Sequence, residues 1–248
     1  MCTVTWVRQS DDLVLLMNRD ELWSRGPAEP PRTLNRDGIP VIAPIDSDAG
    51  GTWISANAAG LVLCLLNRYP DAEPGWRRPD GDEAQPTPAR QSRGRLVLQL
   101  AGGRSCEGIA DELVRADLLR YAPFTLLAID PLCDPLVHAW DGYRLQVDRA
   151  HAPVVSSSFD SAAVLAARRD TYQRMIGPGP TPAQLRAYHQ SHDPERGPYS
   201  VCVHREDGGS RSLTEIRVNT DEVAMRYSAG PPCESAAMAV ATLNRYHR

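Results

Sequence analysis

Two short apolar-rich runs, residues 2–9 and 13–20, flank the polar triplet Ser10-Asp11-Asp12. That pattern predicts a β-hairpin at the start of the chain. Residues 26–51 are crowded with Gly and Pro (Gly26-Pro27, Pro30-Pro31, Asp37-Gly38, Gly50-Gly51) and read as a long, turn-rich loop. A second hairpin is expected from Thr52–Ser55 and Gly60–Asn67, turning at Asn57–Gly60. The polar, Pro-rich stretch 69–90 reads as a surface loop.

Helices are predicted over roughly 91–101, closed by Gly102-Gly103, and over 106–119 with Ser105 as N-cap. Three strands follow at 124–129, 135–140 and 143–147, and a fourth near 152–157. Ser161 can cap a helix that runs to about Ile176, where Gly177-Pro178-Gly179-Pro180 stops it, and Thr181-Pro182 starts another. Strands are expected at 199–205, 211–218 and 222–228, then a short helix from Glu234. Hairpins dominate and the helices come in consecutive pairs. The pattern implies an α+β fold of two packed antiparallel sheets covered by helix pairs, rather than alternating βαβ units. About a dozen strands need the whole chain, so residues 1–248 are read as one domain.

Composition narrows the function classes. The chain is 42% hydrophobic and 23% charged with a net charge of −4, near globular averages. Arg supplies every basic side chain, without a basic stripe of the sort that nucleic acid requires. Arg8, Asp11 and Asp12 interrupt the N-terminal apolar run, so neither a signal peptide nor a membrane span is read there. Six cysteines stand singly, at 2, 64, 106, 133, 202 and 233. With no CxxC, a reducing cytoplasm is the expected setting. The five later cysteines read as buried structural thiols. His189 and His192 have HxxH spacing at the end of a helix, but no acidic or thiol ligands join them in a metal-site pattern, so they read as a solvated helix end and no metal ligands are assigned.

The candidate chemistry lies at the chain start. If Met1 is removed, Cys2 carries both a thiol and an α-amine of pKa ~8, which can serve as the base for its own nucleophile. Cys2 taken alone reads more readily as a small apolar residue opening a strand. The hairpin returns Asn18-Arg19-Asp20-Glu21 level with Cys2, with the register open by one residue. Arg19 facing the thiol would depress its pKa below the free value of ~8.5 and make Cys2 the first cysteine to be alkylated. Asp20 could orient the α-ammonium. Asn67, ending an apolar strand, offers a side-chain amide to an oxyanion, or serves as a turn residue before Arg68-Tyr69-Pro70.

Met1-Cys2-Thr3, Asn18–Glu21, Gly50-Gly51-Thr52-Trp53 and the Gly60–Asn67 strand resemble the NRDE family, of the transport-and-Golgi-organisation type. Ala152–Ser158 and Gly209–Ser212 extend the resemblance over most of the chain. The family pattern is in turn similar to N-terminal-nucleophile cysteine hydrolases of the choloylglycine and penicillin V acylase type. That resemblance implies a four-layer αββα sandwich and an amide or thioester hydrolase. It implies Cys2 as nucleophile, with Arg19, Asp20, Asn67 and a late Arg211 completing the catalytic set. Asn18, Trp53 and Ser157 become the expected substrate contacts. The acylases separate the Arg and Asp by two residues, whereas here they are adjacent, and Ser156–Ser158 stands where they place a second Asn. The second function class on the same fold is a non-catalytic carrier of haem or a lipid-like ligand. The hydrolase needs no cofactor, and haem enters only as that alternative's cargo. A small molecule is the expected partner on either reading; the sequence leaves the oligomeric state open.

Overall fold

The computed structural model describes residues 2–10, 12–69, 91–234 and 237–246. Its first hairpin joins β1 (Cys2–Gln9) to β2 (Asp12–Leu22), with Ser10 in the left-handed region (φ 54°) at the tip. The stretch expected as a loop forms instead a second hairpin, β3 (Ala28–Arg36) and β4 (Ile39–Asp46). Its signal is Asp37-Gly38, both at positive φ (54° and 80°), the two-residue turn that matches strand twist. Pro30 and Pro31 are tolerated because β3 is an edge strand and the β3–β4 register shifts between Glu29 and Arg32, which leaves the prolines out of the ladder.

There follow β5 (Ile54–Asn57), β6 (Val62–Asn67), α1 (Arg93–Leu100), α2 (Cys106–Arg115), β7 (Phe124–Ile129), β8 (Leu136–Trp140), β9 (Leu145–Arg149) and β10 (Val154–Ser156). The chain closes with α3 (Ser161–Met175), α4 (Pro182–Gln190), β11 (Gly208–Val218), β12 (Glu222–Ala229) and β13 (Met238–Asn244). Helix 106–119 is shorter than expected, breaking at Arg115 before a single 3-10 turn at Leu118–Arg120. Asp160, not Ser161, occupies the N-cap position of α3. Thr181 caps α4 through a reciprocal box with Gln184, as its Pro-led sequence implies.

Two expectations fail in the last third. Residues 199–205 are not a strand: among the described residues the segment makes one isolated bridge, His204 with Gly209. Val201 and Val203 are fully buried there, so the apolar signal was real, but the Ser200 hydroxyl, 2.6 Å from the Cys202 carbonyl and 2.9 Å from that of Gly197, bonds the segment locally in place of a ladder. The C-terminal helix is replaced by β13, whose burial alternates along MAVATLN as it pairs with β12. The stretch 70–90 lies outside the described residues.

The strands form two antiparallel sheets, β10-β1-β2-β11-β12-β13 and β3-β4-β5-β6-β7-β8-β9. Between them lies a core of Val4, Leu13, Leu15, Met17, Ile216 and Met225 from the first sheet against Ile42, Ile54, Val62, Leu66 and Leu127 from the second. The opposite face of the second sheet buries Leu61, Leu63 and Leu126 under Leu96, Leu100, Ile109 and Leu113 of α1 and α2. Val7, Val14 and Leu16 carry α4 through Leu185 and Tyr188, with Tyr172, Met175 and Ile176 at the end of α3 beside them. The order of layers is αββα. Among the described residues no helix is long and apolar enough to cross a membrane.

Candidate active site

Register decides what faces Cys2. It pairs with Arg19 of β2 on one side and Ser156 of β10 on the other. Side chains alternate across a strand, so Cys2 and Arg19 point between the sheets while Asn18 and Asp20 point toward α3 and α4. Arg19 is therefore the residue level with the thiol.

A cleft of about 430 Å³ opens between the sheets here. Cys2 and Arg19 line it from the first sheet; Trp53 and Asn67 line it from the second. Asn67 pairs with Phe124 at the end of the β6–β7 ladder, and its Nδ2 lies 3.4 Å from Tyr69 Oη. The far wall is the entry to α1, with Gln91 and Ser92 before the helix and Arg93 and Gly94 at its start. A Cβ on Gly51 would lie 2.5 Å from the Gly94 carbonyl carbon, so the GGTW turn and α1 meet backbone to backbone. Thr52 N–H donates to Gly94 O at 3.1 Å across that contact.

The cleft is charged. Arg19 Nη2 lies 3.2 Å from Asp46 Oδ2 and 3.7 Å from Glu21 Oε2, and its guanidinium sits 4.5 Å over the Trp53 ring. Arg25 Nη2 reaches the same Asp46 oxygen at 2.6 Å. Burial pushes the Asp46 carboxyl up, but its hydrogen bond from Arg25 and the charges of Arg25 and Arg19 prevail and hold it below the usual range. Cys2 goes the other way. Burial raises its thiol pKa and the Asp20 charge adds to this, while nearby positive charge and the Asp20 backbone N–H pull down without prevailing. The expectation of a thiol acidified by Arg19 is thereby corrected: Arg19 has the right sign, but it is engaged by Asp46 and desolvation wins.

Behind β1 lies a buried polar network. Asp20 accepts from Ser210 Oγ at 2.6 Å and from Arg168 Nη1 at 3.3 Å, and the same Nη1 donates to Thr3 Oγ1 at 2.7 Å. Burial raises the Asp20 pKa despite Arg168 beside it. Asn18 donates to the carbonyls of His189 and Val201 at 2.9 and 3.0 Å, and its Oδ1 meets His189 Nδ1 at 2.9 Å. Thr5 Oγ1 meets His189 Nε2 at 2.8 Å. His189 is thus fully buried, not a solvated helix end, and burial lowers its pKa to about 3. Sequence reading missed Arg168; the available signal was a cation on the Val164-Arg168-Thr171 stripe that α3 buries.

Three expected site residues lie outside the cleft. Asn18 belongs to the network just described. Ser157 Oγ accepts from Phe159 N–H and donates to Phe159 O, closing the turn into α3. Arg211 donates to the Leu22 and Arg25 carbonyls and stacks over Trp23, bracing the end of β2. Of the cysteines expected to be buried, Cys64, Cys106 and Cys202 are; Cys133 is half-buried and Cys233 exposed. Among the described residues, His192, Cys202, His204 and Cys233 converge closely enough to share an ion, and none of them lines the cleft.

Comparison with known proteins places this geometry. The family model described as Transport and Golgi organisation 2 matches residues 1–152. No curated protein sequence matches the chain. Among solved structures, penicillin V acylase from Agrobacterium tumefaciens is similar with a TM-score of 0.55 at 13% identity, over 97% of this chain and 85% of that one. A cysteine-to-alanine mutant of conjugated bile acid hydrolase from Clostridium perfringens gives 0.54 at 14% identity, over 100% and 97% of the two chains. An arginine-to-leucine variant of the same hydrolase gives 0.55 at 13%, over 99% and 97%. The fold is that of the N-terminal-nucleophile hydrolases.

Proposed function

The chain belongs to the Transport and Golgi organisation 2 family, and we propose that it is a cysteine hydrolase of amide or thioester bonds with Cys2 as its N-terminal nucleophile. One observation carries the proposal: Cys2, Arg19 and Asn67 come from three strands in two sheets and line one cleft. Loss of Met1 gives Cys2 the α-amine that a self-activating nucleophile needs.

In the proposed reaction the α-amine takes the thiol proton and the sulfur attacks the substrate carbonyl carbon. The carbonyl electron pair moves onto oxygen, where Asn67 Nδ2 and a backbone N–H receive it. The intermediate collapses with cleavage of the C–N or C–S bond, and the α-ammonium returns its proton to the leaving group. Water then attacks the acyl-cysteine by the same route and releases the acid. The Asp20 backbone N–H stabilises sulfur as charge develops on it. Arg19, fixed by Asp46 and Trp53, supplies a stationary positive charge beside the thiolate. The Asp20 carboxylate, held by Ser210 and Arg168, is assigned to orienting the α-ammonium. The reaction needs no cofactor, and a free thiol suits a reducing cytoplasm. The charged lining of Arg19, Glu21, Arg25 and Asp46 favours a polar substrate over the apolar cargo of a haem or lipid-like carrier.

The test joins an acyl-amide and acyl-thioester screen to a haem titration, with intact mass confirming loss of Met1. Cys2→Ala should reduce turnover to background, and Asn67→Ala should slow it by about 10²–10³-fold. Tight haem binding that is unchanged in Cys2→Ala, with no hydrolysis across the screen, would overturn the proposal.

A further inference from the structure

We propose that His192, Cys202, His204 and Cys233 form a structural zinc site that clamps three segments of the chain behind the cleft. His192 follows the C-terminus of α4, Cys202 and His204 lie on the irregular 199–205 segment, and Cys233 sits in the connection between β12 and β13. The four ligand atoms all lie within 4.8 Å of one another. Two thiolates and two imidazoles in a four-ligand set are the donors of structural zinc.

The separations fit an ion at the centre. A tetrahedron with Zn–S of ~2.3 Å and Zn–N of ~2.05 Å has N···N edges of ~3.3 Å and S···N edges of ~3.6 Å. Here His192 Nε2 and His204 Nε2 are 3.2 Å apart, and His204 Nε2 lies 3.5 Å from both Cys202 Sγ and Cys233 Sγ. Hydrogen bonding does not explain this set. The Nε2 of a neutral imidazole has one site, a proton or a lone pair, so it can satisfy one of its three neighbours. A shared cation satisfies all of them.

Binding would release one proton from each of the two thiols, and the imidazoles would coordinate as neutral rings. Arg196 Nη2 stands 3.2 Å from His204 Nδ1. Arg196 is exposed, so it can withdraw when the metal takes Nε2 and the ring proton moves to Nδ1. Cys202 is buried and the other ligands lie toward the surface, which gives the ion a route in.

The clamp has a structural target. Val203, between two of the ligands, accepts from Ser210 N–H at 3.0 Å and donates to Ser210 Oγ at 2.9 Å. Ser210 in turn holds Asp20. The site thus replaces the sheet ladder that residues 199–205 lack with a metal cross-link next to the Asp20 network.

The test uses the whole chain, purified under reductant. Elemental analysis should find one zinc per chain after reconstitution, and Co²⁺ in its place should show the absorption of a tetrahedral cobalt thiolate. Cys233→Ser changes an exposed residue and should fold. Its zinc affinity should fall by more than the about 10–100-fold typical of losing an outer-shell partner. Chelation should lower the melting temperature of the wild type and leave that of Cys233→Ser unchanged. Absence of stoichiometric metal from the reduced wild type would overturn the proposal. So would unchanged affinity in both Cys233→Ser and His192→Ala, or a Cys202–Cys233 disulfide formed in place of metal under reductant.

Discussion

Acid should unfold this protein through His189. The ring is fully buried, and Asn18 fixes its tautomer: Nδ2 donates to two carbonyls, so Oδ1 faces Nδ1 and Nδ1 carries the proton. Nε2 then accepts from the Thr5 hydroxyl, and a second proton would place a full charge on a desolvated ring and force that hydroxyl to turn its hydrogen away. Burial and the Arg168 charge hold the folded pKa near about 3, against 6.5 unfolded. A depressed pKa contributes stability that is complete above the unfolded value and lost as pH falls toward the folded one. Each unit below 6.5 removes ~1.4 kcal/mol, so going from pH 7.5 to 4.5 should remove about 2–3 kcal/mol through this residue. Urea unfolding of wild type and His189→Gln across that range, in chelator so that no metal contributes at His204, isolates it. The difference between the two stabilities should shrink by that amount toward pH 4.5. A flat difference would refute the reasoning, as would an NMR titration of the His189 ring near pH 6.5, which needs no variant.

Three further outcomes follow from the geometry. Arg168→Met removes the guanidinium 3.3 Å from the fully buried Asp20 carboxyl, and urea unfolding should show a loss of roughly 3–5 kcal/mol. Gly51→Ala drives a methyl into the Gly94 backbone, 2.5 Å away, and should destabilise by about 1–3 kcal/mol while distorting the cleft wall formed by α1. With iodoacetamide at neutral pH and zinc removed, exposed Cys233 should label before Cys2, whose thiol is buried and raised in pKa; peptide mapping showing Cys2 first would contradict the assigned electrostatics.

The αββα order was legible because apolar runs broken by turn residues, and helices in consecutive pairs, are local signals. The same locality explains what was missed. The β3–β4 hairpin was hidden by prolines that an edge strand with a shifted register can accept. β13 was misread because its pairing with β12 is tertiary information. The cleft residues Cys2, Arg19, Trp53 and Asn67 were found from motif positions, but facing could not be. One step along β2 separates Arg19, beside the thiol, from Asp20, beside Arg168. Arg168, His189 and the His192–Cys233 cluster combine residues distant along the chain, and no spacing rule connects them. Arg211 sits at the expected place in sequence, but its side chain turns outward over Trp23.

β1 acquires its two neighbours at very different moments. During synthesis Arg19 leaves the ribosome soon after Cys2, whereas Ser156, which closes the other flank, appears only when more than half of the chain has been made. Until then the first strand is open along one edge, and afterward it is an interior strand with Cys2 8% exposed. A peptidase that trims Met1 therefore has its best access in that interval. Protein made quickly enough to outrun a trimming enzyme would fold with the proposed nucleophile blocked, so two preparations of one sequence would differ in the proposed activity without differing in fold.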